Sequence, residues 1–188
     1  ELWQAGVPTG DKEQLARMLF CYENPPGTKY VSGSQDSLGI VLPGLNRLYY
    51  ANDFWPEKID SVTDPAVLSW VESHLWLVPL FPRHVDYDVL SETYITAVEA
   101  EKLSKAADRC WEAMLAGDLE AWGQATIDTF DAQIAMFPRM VSQEILATLA
   151  PYQSAVKGWK LTGAGGGGYL VILNDKPVEN AIQIRIRR

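Results

Sequence analysis

Apolar positions recur along this chain with two spacings, and the switches between them mark its elements. Asp11 can cap a helix with Gln14 in the capping-box position, after which Leu15, Met18, Leu19 and Tyr22 share one face at helical spacing. The run Asn24-Pro25-Pro26-Gly27 stops that helix. A turn-rich stretch then leads to Asp36, a short apolar segment covers 37–42, and beyond the Pro43-Gly44 break residues 45–50 read as a strand. Residues 56–65, bracketed by prolines, read as a connection between two bodies. Residues 75–81 are a second strand candidate, with Pro79 at an edge or a strand end. From Ser91 a long helix is predicted with Leu103, Ala106, Ala107, Cys110, Trp111 and Met114 on one face, closing at Gly117. Asp118 restarts the pattern, and Leu119, Trp122, Ile127, Phe130, Ile134 and Phe137 carry a second helix to Pro138. Ser142 caps a third that runs through Ile145, Leu146 and Leu149. Residues 169–173 are a continuous apolar strand, and Ile182, Ile184 and Ile186 alternate with Gln183, Arg185 and Arg187 as a strand with one buried face. The order strand, helices, strand, strand predicts an α+β domain with helices on one face of an antiparallel sheet.

Composition narrows the class without naming it. The chain has 188 residues, 47% hydrophobic and 21% charged, which suits one large domain or one domain and part of another. A net charge of −8 argues against a surface built to neutralise a nucleic-acid backbone, since the basic tail 185–188 is the only cationic cluster. No stretch reaches the ~20 apolar residues of a membrane span, and Glu1-Leu2-Trp3-Gln4-Ala5-Gly6 has no signal-like core. Cys21 and Cys110 lack partners at metal-ligand spacing and read as buried or reduced thiols of a cytoplasmic protein, with a disulfide between them left open. A chain opening on Glu1 instead of Met is expected to be a piece of a longer polypeptide.

Five glycines in six positions, Gly163 and Gly165 to Gly168 with Ala164 among them, lead straight into the strand at 169. Each glycine costs roughly 0.5 to 1 kcal/mol against alanine inside regular structure, so the run implies a close backbone approach or an anion-facing loop. Gly163, Gly165 and Gly168 satisfy G-x-G-x-x-G, but the dinucleotide fingerprint needs a strand before and a helix after, and here a strand follows. A protein-kinase loop needs a catalytic lobe beyond it, and no Gly-Lys-Ser/Thr closes a Walker loop. Close packing of two elements stands beside these as the plainer role.

The segment 158–173 resembles the C-terminal glycine motif of the galactokinase, homoserine kinase, mevalonate kinase and phosphomevalonate kinase (GHMP) family, in which a helix leads into the loop and a strand leaves it. A second match lies upstream: Gly33-Ser34-Gln35-Asp36-Ser37, followed by Leu42-Pro43-Gly44-Leu45-Asn46, is similar to the family segment G-x-Q-D-Q…G-G-x-N. Residues 117–123 resemble a helix junction of the family, and Arg83 stands where sugar-kinase members carry an arginine after a strand. The resemblance covers nearly the whole chain and is nearest to bacterial heptose- and fucose-kinase-like members. Ser37 departs from the usual Gln and Pro43 from the usual first Gly. The family's nucleotide loop, a P-x-x-x-G-L-G-S-S-A segment, is not among these residues.

The resemblance implies a ferredoxin-like α/β sandwich for 56–188, carrying the glycine loop. Residues 1–55 are then the end of an N-terminal domain of the ribosomal protein S5 domain 2-like type, with the active site between the two. It implies an ATP-dependent sugar or sugar-phosphate kinase whose Mg2+ ligands lie outside this chain and whose missing N-terminal part is its natural partner. Asp36 becomes the carboxylate beside the acceptor hydroxyl, as base or electrostatic aid. Ser34, Gln35 and Arg83 become substrate contacts, and Gly163, Ala164, Gly165, Gly166, Gly167 and Gly168 the active-site loop. Taken without the family, Asp36 reads as a turn cap, Arg83 and His84 as loop residues, and Asp86 with Asp88 as a solvated loop; His74 and His84 lack the spacing of a metal pair. Two other classes remain open: a non-catalytic binding or regulatory module on a degenerate kinase fold, and an unrelated α+β ligand-binding domain.

Overall fold

In the computed structural model, residues 6–188 are described, so the opening segment 1–5 read above lies outside the described residues. The described residues fall into two compact units: 6–68 with 186–188, and 69–185. The sequence set this division near 55.

In the first unit, α1 (Lys12–Glu23) is capped by Asp11, whose carboxylate accepts from the Gln14 amide at 2.9 Å. Its core face differs from the expected one. Ala16 and Leu19 are buried, whereas Met18 and Tyr22 are 54% and 58% exposed, so the apolar stripe is shifted toward Leu15, Ala16, Leu19 and Phe20. They pack with Leu38 and Val41 of α2 (Ser34–Val41) and with Leu48, Trp55 and Ile59. Trp55 is fixed from α1 on several sides: Phe20 meets it edge-on, the Arg17 guanidinium lies 4.1 Å from its ring, and its indole N–H donates to Glu13 at 3.2 Å. β1 (Leu45–Tyr49) pairs antiparallel with β2 (Lys58–Val62), Leu45 opposite Val62 and Tyr49 opposite Lys58. The stretch read as a connection therefore contains a strand, and Pro65 is the first residue of α3 (Pro65–His74), where its missing N–H costs nothing.

The second unit is built on a four-stranded antiparallel sheet in the order β4 (Gly158–Leu161), β5 (Tyr169–Leu173), β3 (Leu75–Pro79), β6 (Ile182–Gln183). Taken in chain order this is the strand order of a ferredoxin-like sheet, although the last crossover is the short connection 174–181 and not a helix. One face carries Val78, Leu161, Leu170 and Ile172, which pack on Phe130 of α5 (Leu119–Met136) and on Ile145 and Leu149 of α6 (Gln143–Leu149). The helices thus lie on one face of an antiparallel sheet, as expected. The long helix α4 (Ala97–Ala116) begins at the Thr96 cap and not at Ser91, and it ends at Gly117 in the left-handed region (φ 67°). Ala106 and Ala113 are its buried residues, while Ala107, expected inside, faces solvent. β6 is shorter than the alternation at 181–187 predicted, and Ile182 is 52% exposed.

Candidate functional site

Asp36 stands in the first turn of α2, exposed, where the partial positive charge of the helix start favours a carboxylate. It caps nothing: the N-cap is Gly33, with no side-chain cap bond. Gln35, also exposed, folds its amide back over Gly33, where any Cβ would collide with it. Ser34 is fully buried, its hydroxyl donating to Phe54 O at 2.5 Å and lying 3.0 Å from Tyr50 Oη, so this side chain holds the 50–54 loop and faces no solvent. Ser37, the departure from the family pattern, is buried too and donates to Ser34 O at 2.9 Å, a position with no room for glutamine. Gly44 has φ 74°, and a Cβ there would strike Val62 O. Asn46 braces the turn through Pro43 O at 3.1 Å and receives the Ser61 hydroxyl at 2.7 Å.

In the second unit the glycine loop joins β4 to β5. A strand therefore enters it where a helix was expected. Thr162 N donates to Tyr169 O at 3.0 Å at the base, and Gly168 exchanges bonds with the end of β3, donating to Phe81 O and accepting from Leu80 N. All five glycines have positive φ. At Gly165, Gly166 and Gly167 a side chain would drive into Met140, the Tyr87 ring and Phe81 O respectively, whereas at Gly163 it would only reach ordinary contact with Arg83. Close packing, the plainer role, thus accounts for the middle of the run. It leaves the amides of Gly163, Ala164 and Gly167 without an acceptor among the described residues.

Two side chains and one backbone bond hold the loop. The Arg83 Nε donates to Gly165 O at 2.8 Å, and Tyr87 Oη donates to Ala164 O at 2.6 Å, with Arg139 O at 3.2 Å sharing that proton. Gly166 N donates to Met140 O at 2.8 Å. Burial pushes the Tyr87 phenol above its ordinary value, while the Arg83 and Arg139 guanidiniums beside it pull the other way. Against the loop opens a cleft of about 380 Å³, lined among others by Phe81, His84, Tyr87, Arg139, Ser142 and Glu144. Arg83 and the glycine loop, nominated separately, are thus brought together. Tyr87, Arg139 and Glu144 were not singled out; they sit far apart in the chain, and no local spacing joins them. Asp86 and Asp88 are exposed, as a solvated loop requires, and Asp88 in addition caps a turn by accepting from Leu90 N at 2.9 Å. Both cysteines are free; Cys21 is exposed, not buried. Among the described residues no group of three or more His, Cys, Asp or Glu side chains is placed to hold a metal ion.

No family model matches the chain. Solved structures do: a D-glycero-D-manno-heptose 1-phosphate kinase from Bacteriodes thetaiotaomicron, at TM-score 0.56 and 15% identity over 90% of this chain, and a mevalonate kinase, at TM-score 0.54 and 14% identity over 88%. The chain has the fold of the GHMP kinases. It spans 46% and 50% of those two proteins. In sequence it is 26% identical over 200 aligned positions to the bifunctional fucokinase/GDP-fucose pyrophosphorylase of Arabidopsis thaliana, an alignment covering 96% of this chain and 18% of that protein.

Proposed function

We propose that this chain is part of an ATP-dependent kinase that transfers a phosphoryl group to a hydroxyl of a sugar or sugar phosphate. The GHMP-kinase fold carries the reading, on a chain whose Gln-Asp and glycine segments resemble that family's motifs. Such a transfer makes little covalent demand on the protein, so positioning and charge stabilisation supply the rate. Asp36, exposed and unpaired among the described residues, orients the acceptor hydroxyl and takes up its proton as the bond to phosphorus forms. ATP supplies the phosphoryl group. The open amides of Gly163, Ala164 and Gly167 suit a phosphate oxygen, and Arg83 holds that stretch in shape through Gly165 O. Gln35 stands beside Asp36 as a substrate contact; Ser34 serves by shaping the loop under it. The remaining nucleotide and Mg2+ ligands come from sequence outside these residues, and the free thiols suit a cytoplasmic setting.

Asp36→Ala in the full-length protein is expected to lower kcat by about 10²- to 10⁴-fold, with the ATP dissociation constant nearly unchanged. An unaltered kcat removes Asp36 from the reaction. The 188-residue chain alone is expected to bind ATP poorly, and tight calorimetric binding contradicts that assignment of the nucleotide ligands. In a non-catalytic module, sugar and ATP binding persist with no turnover under any condition.

A further inference from the structure

The cleft beside the glycine loop has a lining that a bare anion does not need. Its lining includes Arg139, whose guanidinium has no hydrogen-bond or ion-pair partner among the described residues, and His84. Arg83, tied at Nε to Gly165 O, keeps its terminal nitrogens for another acceptor and comes near enough to the Tyr87 phenol, as Arg139 does, to act on it electrostatically. Glu144 and Ser142 line the same cleft, with Phe81 contributing apolar surface.

An arginine fork binds a phosphate through paired N–H donors. An ionised carboxylate only accepts, so in the same cleft as a guanidinium it weakens a simple phosphate site but is suited to the O–H groups of a polyol. A volume of about 380 Å³ lies in the range of small-molecule sites. We propose that this cleft binds a phosphorylated polyol, Arg139 with His84 reading the phosphate and Glu144 with Ser142 reading hydroxyls. Resting on the kinase reading above, this makes the acceptor a sugar that already carries a phosphate.

The test is calorimetry on the full-length protein without nucleotide, using glucose 6-phosphate, mannose 6-phosphate, the two free sugars and inorganic phosphate. At least one sugar phosphate is expected to bind about tenfold or more tightly than both inorganic phosphate and its free sugar. Arg139→Ala is expected to weaken sugar phosphates and inorganic phosphate alike by about tenfold or more, with Arg139→Lys recovering part. Glu144→Gln is expected to weaken the sugar phosphates and leave inorganic phosphate unchanged. Both free sugars binding as tightly as their sugar phosphates, inorganic phosphate binding as tightly as both sugar phosphates, or an Arg139→Ala variant of unchanged melting temperature that binds normally, each overturns the proposal. Because no nucleotide is present, the kinase reading fails separately: sugar phosphate bound in the cleft without any transfer refutes the reaction, and turnover of a sugar phosphate with KM untouched by Arg139→Ala refutes the cleft.

Discussion

Gly163 and Gly166 share a left-handed backbone, φ 53° and 70°, but not an environment. Alanine at either position carries the cost of left-handed backbone, about 1–2 kcal/mol. At Gly166 the new methyl also enters the Tyr87 ring, whereas at Gly163 the nearest atom, Arg83 Nη2, is 3.5 Å away. Overpacking adds about 1–3 kcal/mol. Gly163→Ala is therefore expected to lose about 1 kcal/mol and Gly166→Ala about 3 kcal/mol, read from urea midpoints; equal losses would mean that Tyr87 gives way freely. Tyr87 offers a second measurement. Its pKa lies above the ordinary 10.0, because burial penalises the phenolate. The neutral ring's stabilisation is thus complete below about pH 10 and lost as pH rises through the folded value. Tyr87→Phe removes the bond to Ala164 O, which costs about 1 kcal/mol at pH 7. The gap between the two proteins should close in alkali, and a gap constant to pH 11 contradicts the assignment. Of this site the sequence shows the glycines, because only they tolerate such backbone, and Arg83 by resemblance. Tyr87 and Arg139 leave no local mark: Tyr87 meets the loop through the Ala164 carbonyl and Arg139 meets Tyr87 through its own, and every residue type supplies that oxygen.

Helix caps were the most legible elements, because a cap is a local bond. Asp11, Asp118 and Ser142 each accept from the amide three residues on. Strands β2 and β4 were not read, since four or five residues with charges among them carry too little alternation to stand out from a loop. Their identity comes from pairing partners distant in sequence. The junction at 117–123 acquires a physical role in the same way. Gly123, in the interior of α5, gives up about 1 kcal/mol of helix propensity relative to alanine. It lies against β4 so closely that a Cβ on Gly158 would stand 2.7 Å from Gly123 Cα, and one on Gly123 would strike Lys157 O. Helix and strand touch backbone to backbone here. Gly123→Ala should therefore destabilise by about 2 kcal/mol or more in spite of its better propensity, as measured by thermal or urea unfolding. A neutral or stabilising result would show that α5 can move off β4 at little cost.

At the scale of the whole molecule, the chain returns to its first unit at its end, and this decides where a domain boundary can be drawn. Composition suggested a linker at 56–65, because prolines bracket a polar stretch. In the structure one proline opens α3 and the residues between pair with β1, which moves the division to 68. Residues 186–188 belong with the first unit as well. The Gly44 amide donates to Arg187 O at 2.7 Å, and the Arg187 guanidinium reaches Val41 O at 3.4 Å. Gly44 is the residue whose left-handed turn joins the Asp36 helix to β1, so the tail bonds to the turn that sets the direction of α2. Ending the chain at 185 removes the acceptor for that amide, a loss of about 1–2 kcal/mol for a partly buried donor. Faster hydrogen exchange is expected at the amides of Leu42 and Gly44 and along β1. If Gly44 exchanges at the same rate with and without the tail, the bond to Arg187 contributes nothing in solution, and the first unit is complete at 68.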